Sequence, residues 1–322
     1  MLIIENNRKN PYFNIAAEEY LLKNFTDDCF MLYQNTPSLI VGKHQNTLAE
    51  INYNFIKQNN IDVVRRLSGG GTVYHDLGNI NFMFIQNINE NSSLVNFKRY
   101  TDPIIEVLHD LNIDAKFEGK NDILINGLKI SGNAEHVFKR RVLHHGTLLF
   151  SSELNVLNDA IKAEIKKYND KGVKSIRSTV ANISDFLTKK ISIPEFMNKV
   201  VEKIRDMNKD STLYTFKTGD ILKIENLVTE KYSTWEWNFG YSPDYNFENK
   251  IKTANGNLSV NVTVEKGLIK KIKITGNFDS SDIEHSLIGK KHNEKEIHQT
   301  LHKVDVLKCT TYTVDDIIKA LF

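Results

Sequence analysis

Two cysteines, Cys29 and Cys309, are all that this 322-residue chain contains, and they lie far apart in sequence. Nothing therefore suggests a disulfide framework or a cysteine zinc site. Net charge is equally scarce. The 42 Lys and Arg nearly cancel the 40 Asp and Glu, leaving +2, so the total shows no nucleic-acid or membrane footprint. No apolar run approaches the length of a bilayer span, and the opening MLIIENNRKNPYF lacks a basic segment followed by a long apolar one. Internal repeats and low-complexity tracts are missing too. These absences lead to the expectation of a cytoplasmic protein with no nucleic-acid or membrane partner. What is there is an ordinary globular composition, 40% apolar and 25% charged. Such a chain is long enough for two domains and buries its core without metals or disulfides.

Apolar periodicity sets out the elements. NIAAEEYLLKNF predicts a helix over 14–25 opened by Asn14. FMLYQ (30–34) and SLIVG (38–42) read as strands, and 51–60 as a helix. IDVVRR, TVYH and INFMFIQ read as strands around three glycines. PIIEVLHDLN predicts a helix over 103–112 with Pro103 in its first turn, where a missing N–H costs little. Asn126-Gly127, between NDILI and LKISG, is a strong hairpin signal. VLHHGTLLF (142–150) is a further strand, and helices over 153–167 and 194–208 flank the basic loop KGVKSIRSTVANIS, 171–184. Strands and helices alternate without a regular βαβ rhythm, which predicts an α+β fold: a mixed β-sheet with flanking helices. From about residue 248, strands broken at Asn255-Gly256 and Lys266-Gly267 precede helices over 279–288, 293–303 and 314–322. The expected organisation is a main domain, 1–245, and a small α+β accessory domain, 246–322, with GYSPDYNFEN (240–249) as linker.

RRLSGGGTVYHD, residues 65–76, is the densest stretch. Three glycines in a row are costly to order. They form neither a P-loop nor a dinucleotide fingerprint, because no Gly-Lys-Ser/Thr follows and the G-x-G-x-x-G spacing is absent. A Gly-Gly pair alone would read as a surface turn. Beside Arg65, Arg66 and Ser68, the glycines point instead to backbone that approaches an acidic small molecule, with N–H groups converging on an anion. Arg66 would add a planar fork suited to phosphate or carboxylate. In the hairpin, strict alternation puts Leu128 and Ile130 on one face and Lys129 and Ser131 on the other. Taken alone, Lys129 would be an exposed strand lysine. Asp122 on the partner strand is either a carboxylate near a metal-bound phosphate or a turn residue. The small residues Ser131-Gly132-Asn133-Ala134 suit close backbone approach.

RRLSGGGTVYHDLGN, GKNDILINGLKISGNAEH, HHGTLLF, KGVKSIRSTVANIS and STWEWNFG occur in that order. Together they resemble the lipoate–protein ligase A family over nearly the whole chain. The glycine stretch is shared more loosely with biotin ligases and octanoyl or lipoyl transferases. The lysine motif, WEWNFG and the C-terminal region are more specific to the ligases. The resemblance implies a main domain like the catalytic domain of biotin ligases. It also implies a two-step reaction: lipoate and ATP give lipoyl-adenylate and pyrophosphate, then a lysine of an apo lipoyl domain attacks. ATP and Mg²⁺ would be cofactors. The acceptors would be lipoyl domains of 2-oxoacid dehydrogenase complexes and the glycine-cleavage H protein. Lipoate and ATP binding falls on Arg66, Ser68, Gly69, Gly70, Gly71, Thr72, Val73 and Tyr74. Lys129 becomes both catalytic and binding, and Ala134 lies beside the nucleotide. His75, Asn121, Gly132, Lys174 and Arg177 are secondary candidates, and Asp122 is the candidate Mg²⁺ ligand. The 171–184 stretch matches a loop that closes over the adenylate.

The residue types suit that chemistry. Joining a carboxylate to a triphosphate brings two anions together, so cations and backbone donors must be fixed in advance. A closing loop keeps the adenylate from hydrolysis. Two rival readings remain: an acyltransferase working through an enzyme cysteine without ATP, and a non-catalytic lipoate-binding protein. His144 and His145 read as strand packing rather than metal ligation, and Trp235 and Trp237 as packing near the linker.

Overall fold

The computed structural model describes residues 1–88, 93, 95–161, 167–176, 178–304 and 312–322. Arg177, Cys309 and residues 162–166 of the helix expected over 153–167 lie outside them. The chain forms two compact units.

The first half of the chain contains β1 (Leu2–Glu5), α1 (Pro11–Asn24), β2 (Cys29–Tyr33), β3 (Ser38–Val41), α2 (Thr47–Glu50) and α3 (Tyr53–Gln58). Next come β4 (Asp62–Arg65), β5 (Val73–His75), β6 (Asn79–Asn87), α4 (Phe97–Asp110), β7 (Ala115–Glu118) and β8 (Asp122–Ile125). These lead to β9 (Leu128–Phe138), β10 (Arg141–Leu149), α5 (Leu154–Ala160) and β11 (Tyr168–Asp170). After them come α6 (Ile193–Met207), β12 (Thr212–Thr215), α7 (Thr218–Leu227), β13 (Tyr245–Thr253), β14 (Gly256–Glu265) and β15 (Leu268–Thr275). Three helices close the chain: α8 (Ser281–Leu287), α9 (Glu294–Lys303) and α10 (Val314–Leu321). Among the described residues no helix is long and apolar enough to cross a membrane.

The first unit, Met1–Lys43, Asn59–Ile161 and Ser175–Thr234, is built on a sheet ordered β12-β1-β2-β6-β10-β9-β8-β7. β12, β1 and β2 run parallel, whereas β2–β6–β10–β9–β8–β7 pair antiparallel. The sheet is therefore mixed, as expected. Phe82, Phe84, Ile104, Leu108, Ile123, Ile130, Phe196 and Val200 share one core between it and helices α4 and α6. A small second sheet, β4-β3-β5, carries the glycine loop between β4 and β5.

Helix α1 starts four residues before its expected cap. Asn10, not Asn14, accepts the Phe13 N–H, and Pro11 fills the first helical position. Asn14 is fully buried and instead links Arg8 O, Gln34 O and Asn35 Oδ1. Because α1 is buried nearly all round, its two glutamates need partners. Glu19 accepts from Lys23, Lys231 and Tyr232. Helix α4 begins at Phe97, capped by Asn96, so Pro103 sits in the helix interior rather than in its first turn. The Asn126-Gly127 hairpin forms as expected, both residues at positive φ, 51° and 78°.

The second unit comprises His44–Gln58, Lys162–Lys174 and Trp235–Phe322. Its sheet, β11-β13-β14-β15, is antiparallel throughout, turning at Gly256 and at Lys266-Gly267 as the sequence indicates. Residues 245–249 of the expected linker are the start of β13. Alternation along β14 buries Leu258, Val260, Val262 and Val264. Trp235 stacks on Phe239 and Trp237 packs on Tyr241.

Candidate active site

Arg66 builds the glycine loop from beneath. Its Nε donates to Ser68 Oγ (2.9 Å), Nη1 to Ile40 O (2.9 Å), and Nη2 to Gly69 O (2.6 Å) and Gly71 O (2.8 Å). The fork expected to meet a phosphate or carboxylate is thus engaged with the loop's own carbonyls. Burial draws this guanidinium down to about 10, opposed by the charge of Glu18, and it stays a cation at neutral pH. A trans peptide points its carbonyl and the following N–H in opposite directions. Drawing the Gly69 and Gly71 carbonyls toward Arg66 therefore turns the Gly70 and Thr72 N–H groups away from it. The Thr72 N–H indeed donates to Ser175 Oγ, at 3.0 Å. Gly70 has φ +85°, a conformation that side chains resist, and a Cβ on Gly71 would come within 3.3 Å of the Ser175 backbone.

The lysine motif departs from the expected alternation. Ile123 pairs with Ser131 but Leu124 pairs with Lys129, so Ile130 is the extra residue of a β-bulge in β9. Consecutive residues Ile123 and Leu124 face opposite ways, and their partners do too. Lys129 therefore shares a face with Gly132, whose Cβ position lies 3.1 Å from Lys129 Cε, and not with Ser131. Ser131 turns inward and is buried. Where β10 leaves β9, residues 179–181 take its place. The Lys129 N–H donates to Thr179 O and the Ala181 N–H donates to Lys129 O, at 2.9 and 3.0 Å. Both backbone groups of the lysine are held by this segment, and Nζ lies 2.9 Å from Asp122 Oδ1.

These parts meet in one pocket within the first unit. Thr72, Val73 and Tyr74 line one wall, and Lys129, Gly132 and Thr147 the sheet floor. Leu157 and Asn158 of α5, with Ser175, Ile176, Ser178 and Val180, complete it. Five sequence candidates thus line the pocket directly: Thr72, Val73, Tyr74, Lys129 and Gly132. Arg66, Ser68, Gly69, Gly70 and Gly71 support it. Asn121 braces the motif, with its Nδ2 donating to Asn133 O, and Ala134 pairs with His145 across β9–β10. Lys174 ion-pairs with Asp170 at 2.7 Å in the second unit and does not line this pocket. His75 is buried and neutral; burial lowers it to about 3. Asn35 Nδ2 donates to its Nδ1, and Nε2 has no partner among the described residues.

Adjacent strand residues point to opposite faces, and His144 and His145 brace different motifs. Asn133 Nδ2 donates to Asn121 O and Ser131 Oγ, so its Oδ1 accepts from His144 Nε2 at 3.2 Å. His144 Nδ1 must then accept, from a protonated Glu135 Oε1 at 3.1 Å. Burial agrees, raising the Glu135 carboxyl to about 7. His145 bonds Ser68 Oγ through Nε2 (2.6 Å) and Glu18 Oε2 through Nδ1 (2.7 Å). The sequence reading took both histidines as packing. His144 does stack against Tyr100 and Phe82, but the hydrogen-bond roles were missed.

Residues 10–205 match the lipoyl protein ligase A/B catalytic domain, and residues 242–321 the bacterial lipoate protein ligase C-terminus. The chain belongs to the lipoyl protein ligase A/B family. It is 41% identical over 315 residues to the lipoate-protein ligase LplJ of Bacillus subtilis, covering 95% of each chain. A solved lipoate-protein ligase A bound with ATP matches at TM-score 0.64 and 26% identity, covering 74% of this chain and 98% of that one. A bi-partite lipoate protein ligase from Thermoplasma acidophilum, described with its E2 lipoyl domain, matches at TM-score 0.65 and 26% identity, covering 74% and 96%. The motif resemblance is thereby borne out. In this member of the lipoyl protein ligase A/B family, Cys29 is no part of the pocket described above. It is fully buried in β2 outside the pocket lining, and burial pushes its thiol up to about 12.

Proposed function

We propose that this chain is an ATP-dependent lipoate–protein ligase, with Lys129 as the donor that holds the reacting anions and the Arg66-braced glycine loop shaping the wall of the pocket around them. The observation that carries the proposal is the Lys129 ammonium in the same pocket as residue Thr72 and the segment from Ser175. In the first step a lipoate carboxylate oxygen bonds to the α-phosphorus of ATP. The bond from that phosphorus to the β-phosphate oxygen breaks, and pyrophosphate leaves. In the second, an acceptor lysine amine attacks the acyl carbon, AMP leaves, and the amine proton passes to solvent. Negative charge accumulates at the phosphorus in the first step, where fixed donors act most strongly.

Mg²⁺ fits this donor set as a phosphate-bound ion. Among the described residues no group of three or more His, Cys, Asp or Glu could hold a metal. Mg²⁺ typically takes one or two carboxylates together with substrate phosphates. Asp122, beside Lys129, would supply the carboxylate. Bound there, the ion would neutralise phosphate charge.

The acceptors are proposed to be apo lipoyl domains of 2-oxoacid dehydrogenase complexes and the glycine-cleavage H protein, and the cytoplasm the place of action. Residues 1–245 carry activation in this proposal, and 246–322 support it. The roles of Arg66, Ser68, the glycines and Ala134 are to shape the site. Incubating the protein with lipoate, ATP and an apo lipoyl domain should add one lipoyl group to a single acceptor lysine by mass spectrometry. An acceptor modified equally well without ATP would favour the transferase reading.

A further inference from the structure

We propose that Glu18 and His145 are positioning residues for acyl activation: they hold Arg66, and through it the glycine loop, in the form that sets Thr72 against Ser175 in the wall of the pocket. This goes one step deeper than the ligase function proposed above and rests on it.

Glu18, Arg66, Ser68 and His145 are all buried. A buried cation and a buried anion need each other or a hydrogen-bonded path between them. Here the path runs through two neutral residues. Arginine only donates, so Ser68 Oγ accepts from Arg66 Nε at 2.9 Å. The serine's own proton then goes to His145 Nε2, 2.6 Å away. A neutral imidazole accepting at Nε2 carries its proton on Nδ1, which donates to Glu18 Oε2 at 2.7 Å. Tyr33 O–H donates to the other carboxylate oxygen at 2.9 Å. A doubly protonated His145 would leave the Ser68 hydroxyl without this acceptor and place a second cation near Arg66. The chain of donors therefore runs in one sense, from the Arg66 cation to the Glu18 anion.

Serine, histidine and glutamate in this order also describe a hydrolase triad. The serine oxygen here is fully buried and faces an arginine N–H, so it is no nucleophile. The far end of the relay gives its purpose. Arg66 Nη2 grips the Gly69 and Gly71 carbonyls, and those two contacts orient the N–H groups of Gly70 and Thr72. The relay also accounts for a glutamate inside a helix buried nearly all round.

Among the described residues the hydrogen-bonded path from Glu18 to the loop runs through His145 and Ser68, and that gives a test that a merely structural role would fail. Ser68→Ala and Glu18→Gln are compared singly and together for lipoate- and ATP-dependent pyrophosphate release. Each single substitution should raise the KM for lipoate about 10-fold. The double variant should also show about 10-fold, because both break one path. A rise of about 100-fold in the double variant, the product of independent effects, would overturn the relay. Hydrogen exchange gives a readout that needs no activity. The Gly70 and Thr72 amides should exchange about 10-fold faster in the folded variants, while the β7–β8 hairpin keeps its rate. Unchanged loop exchange in folded Glu18→Gln would also overturn the relay. A wild type that releases no pyrophosphate would count against the ligase function and leave exchange to decide this proposal. Should Glu18→Gln fail to fold, His145→Gln takes its place in the cycle.

Discussion

Lys129 Nζ stands 2.9 Å from Asp122 Oδ1, with the two side chains 23% and 26% exposed. A partly exposed pair of this kind adds little to stability, on the order of 1 kcal/mol. Its consequence is aim: the carboxylate holds the ammonium beside Gly132, on the pocket floor, before any substrate arrives. The bulge at Ile130 makes this possible, because regular pairing would put Lys129 on the same face as the buried Ser131.

Lys129→Ala should cut pyrophosphate release about 100- to 1,000-fold, roughly 3–4 kcal/mol of lost transition-state stabilisation. Its melting temperature should stay close to wild type, since the pair it loses is weak. Near wild-type release by a folded variant would remove Lys129 from the chemistry.

The glycines should fail for different reasons. Gly70→Val must adopt φ +85° and crowds Arg66 Nη2, 3.1 Å from the Cβ position. Gly71→Val collides with Ser175 across the pocket. Both should weaken lipoate and ATP together in calorimetry. Gly69→Ala should weaken them least, because nothing lies within 4 Å of its Cβ. Equal effects at all three positions would contradict this ordering.

Much of the fold was legible because apolar periodicity and turn chemistry agreed. Asn126-Gly127 and Lys266-Gly267 set their turns, and the strands around the glycine loop fall where the pattern puts them. The starts of α1 and α4 were not, because their caps, Asn10 and Asn96, lie before the apolar stretch rather than at its edge. β12 was missed: its four residues form an edge strand with little buried surface, so they carry no alternation to read. At the site, the glycine loop stands out by composition, whereas Lys129 stands out only through the motif resemblance. The bulge was invisible, because one extra residue leaves the sequence LKISG unchanged while reversing a face. The use of Arg66 as a brace, and the relay through Ser68, His145 and Glu18, join positions up to 127 residues apart. Only tertiary structure brings them together.

Acid should destabilise the fold early. Burial lowers His75 to about 3 and His292 to about 4, and holds His144 well below the usual imidazole range. Unfolded imidazoles take up protons near pH 6.5, and these three do not, so the unfolded state binds more protons and stability falls as pH drops from about 6.5 toward 4. Glu135 acts the other way. Its carboxyl is raised to about 7, so its contribution is present below about pH 4.5 and is lost as pH rises through 7. Three histidines outweigh one glutamate, and urea unfolding should give lower stability at pH 5 than at pH 7. Equal or greater stability at pH 5 would contradict the neutral, buried assignment.

Cys29→Ala should leave acyl transfer and its dependence on ATP intact, at a modest cost in stability for a buried side chain. Loss of transfer in a folded Cys29→Ala protein, with ATP dispensable, would make the chain a cysteine acyltransferase.

The most direct measurement is pyrophosphate release from the purified protein given lipoate and ATP without any acceptor. The ligase reading predicts release that requires both compounds, with lipoyl-adenylate recovered in matching amount and consumed when an apo lipoyl domain is added. No pyrophosphate from active, folded protein, or lipoyl transfer that proceeds without ATP, would contradict it.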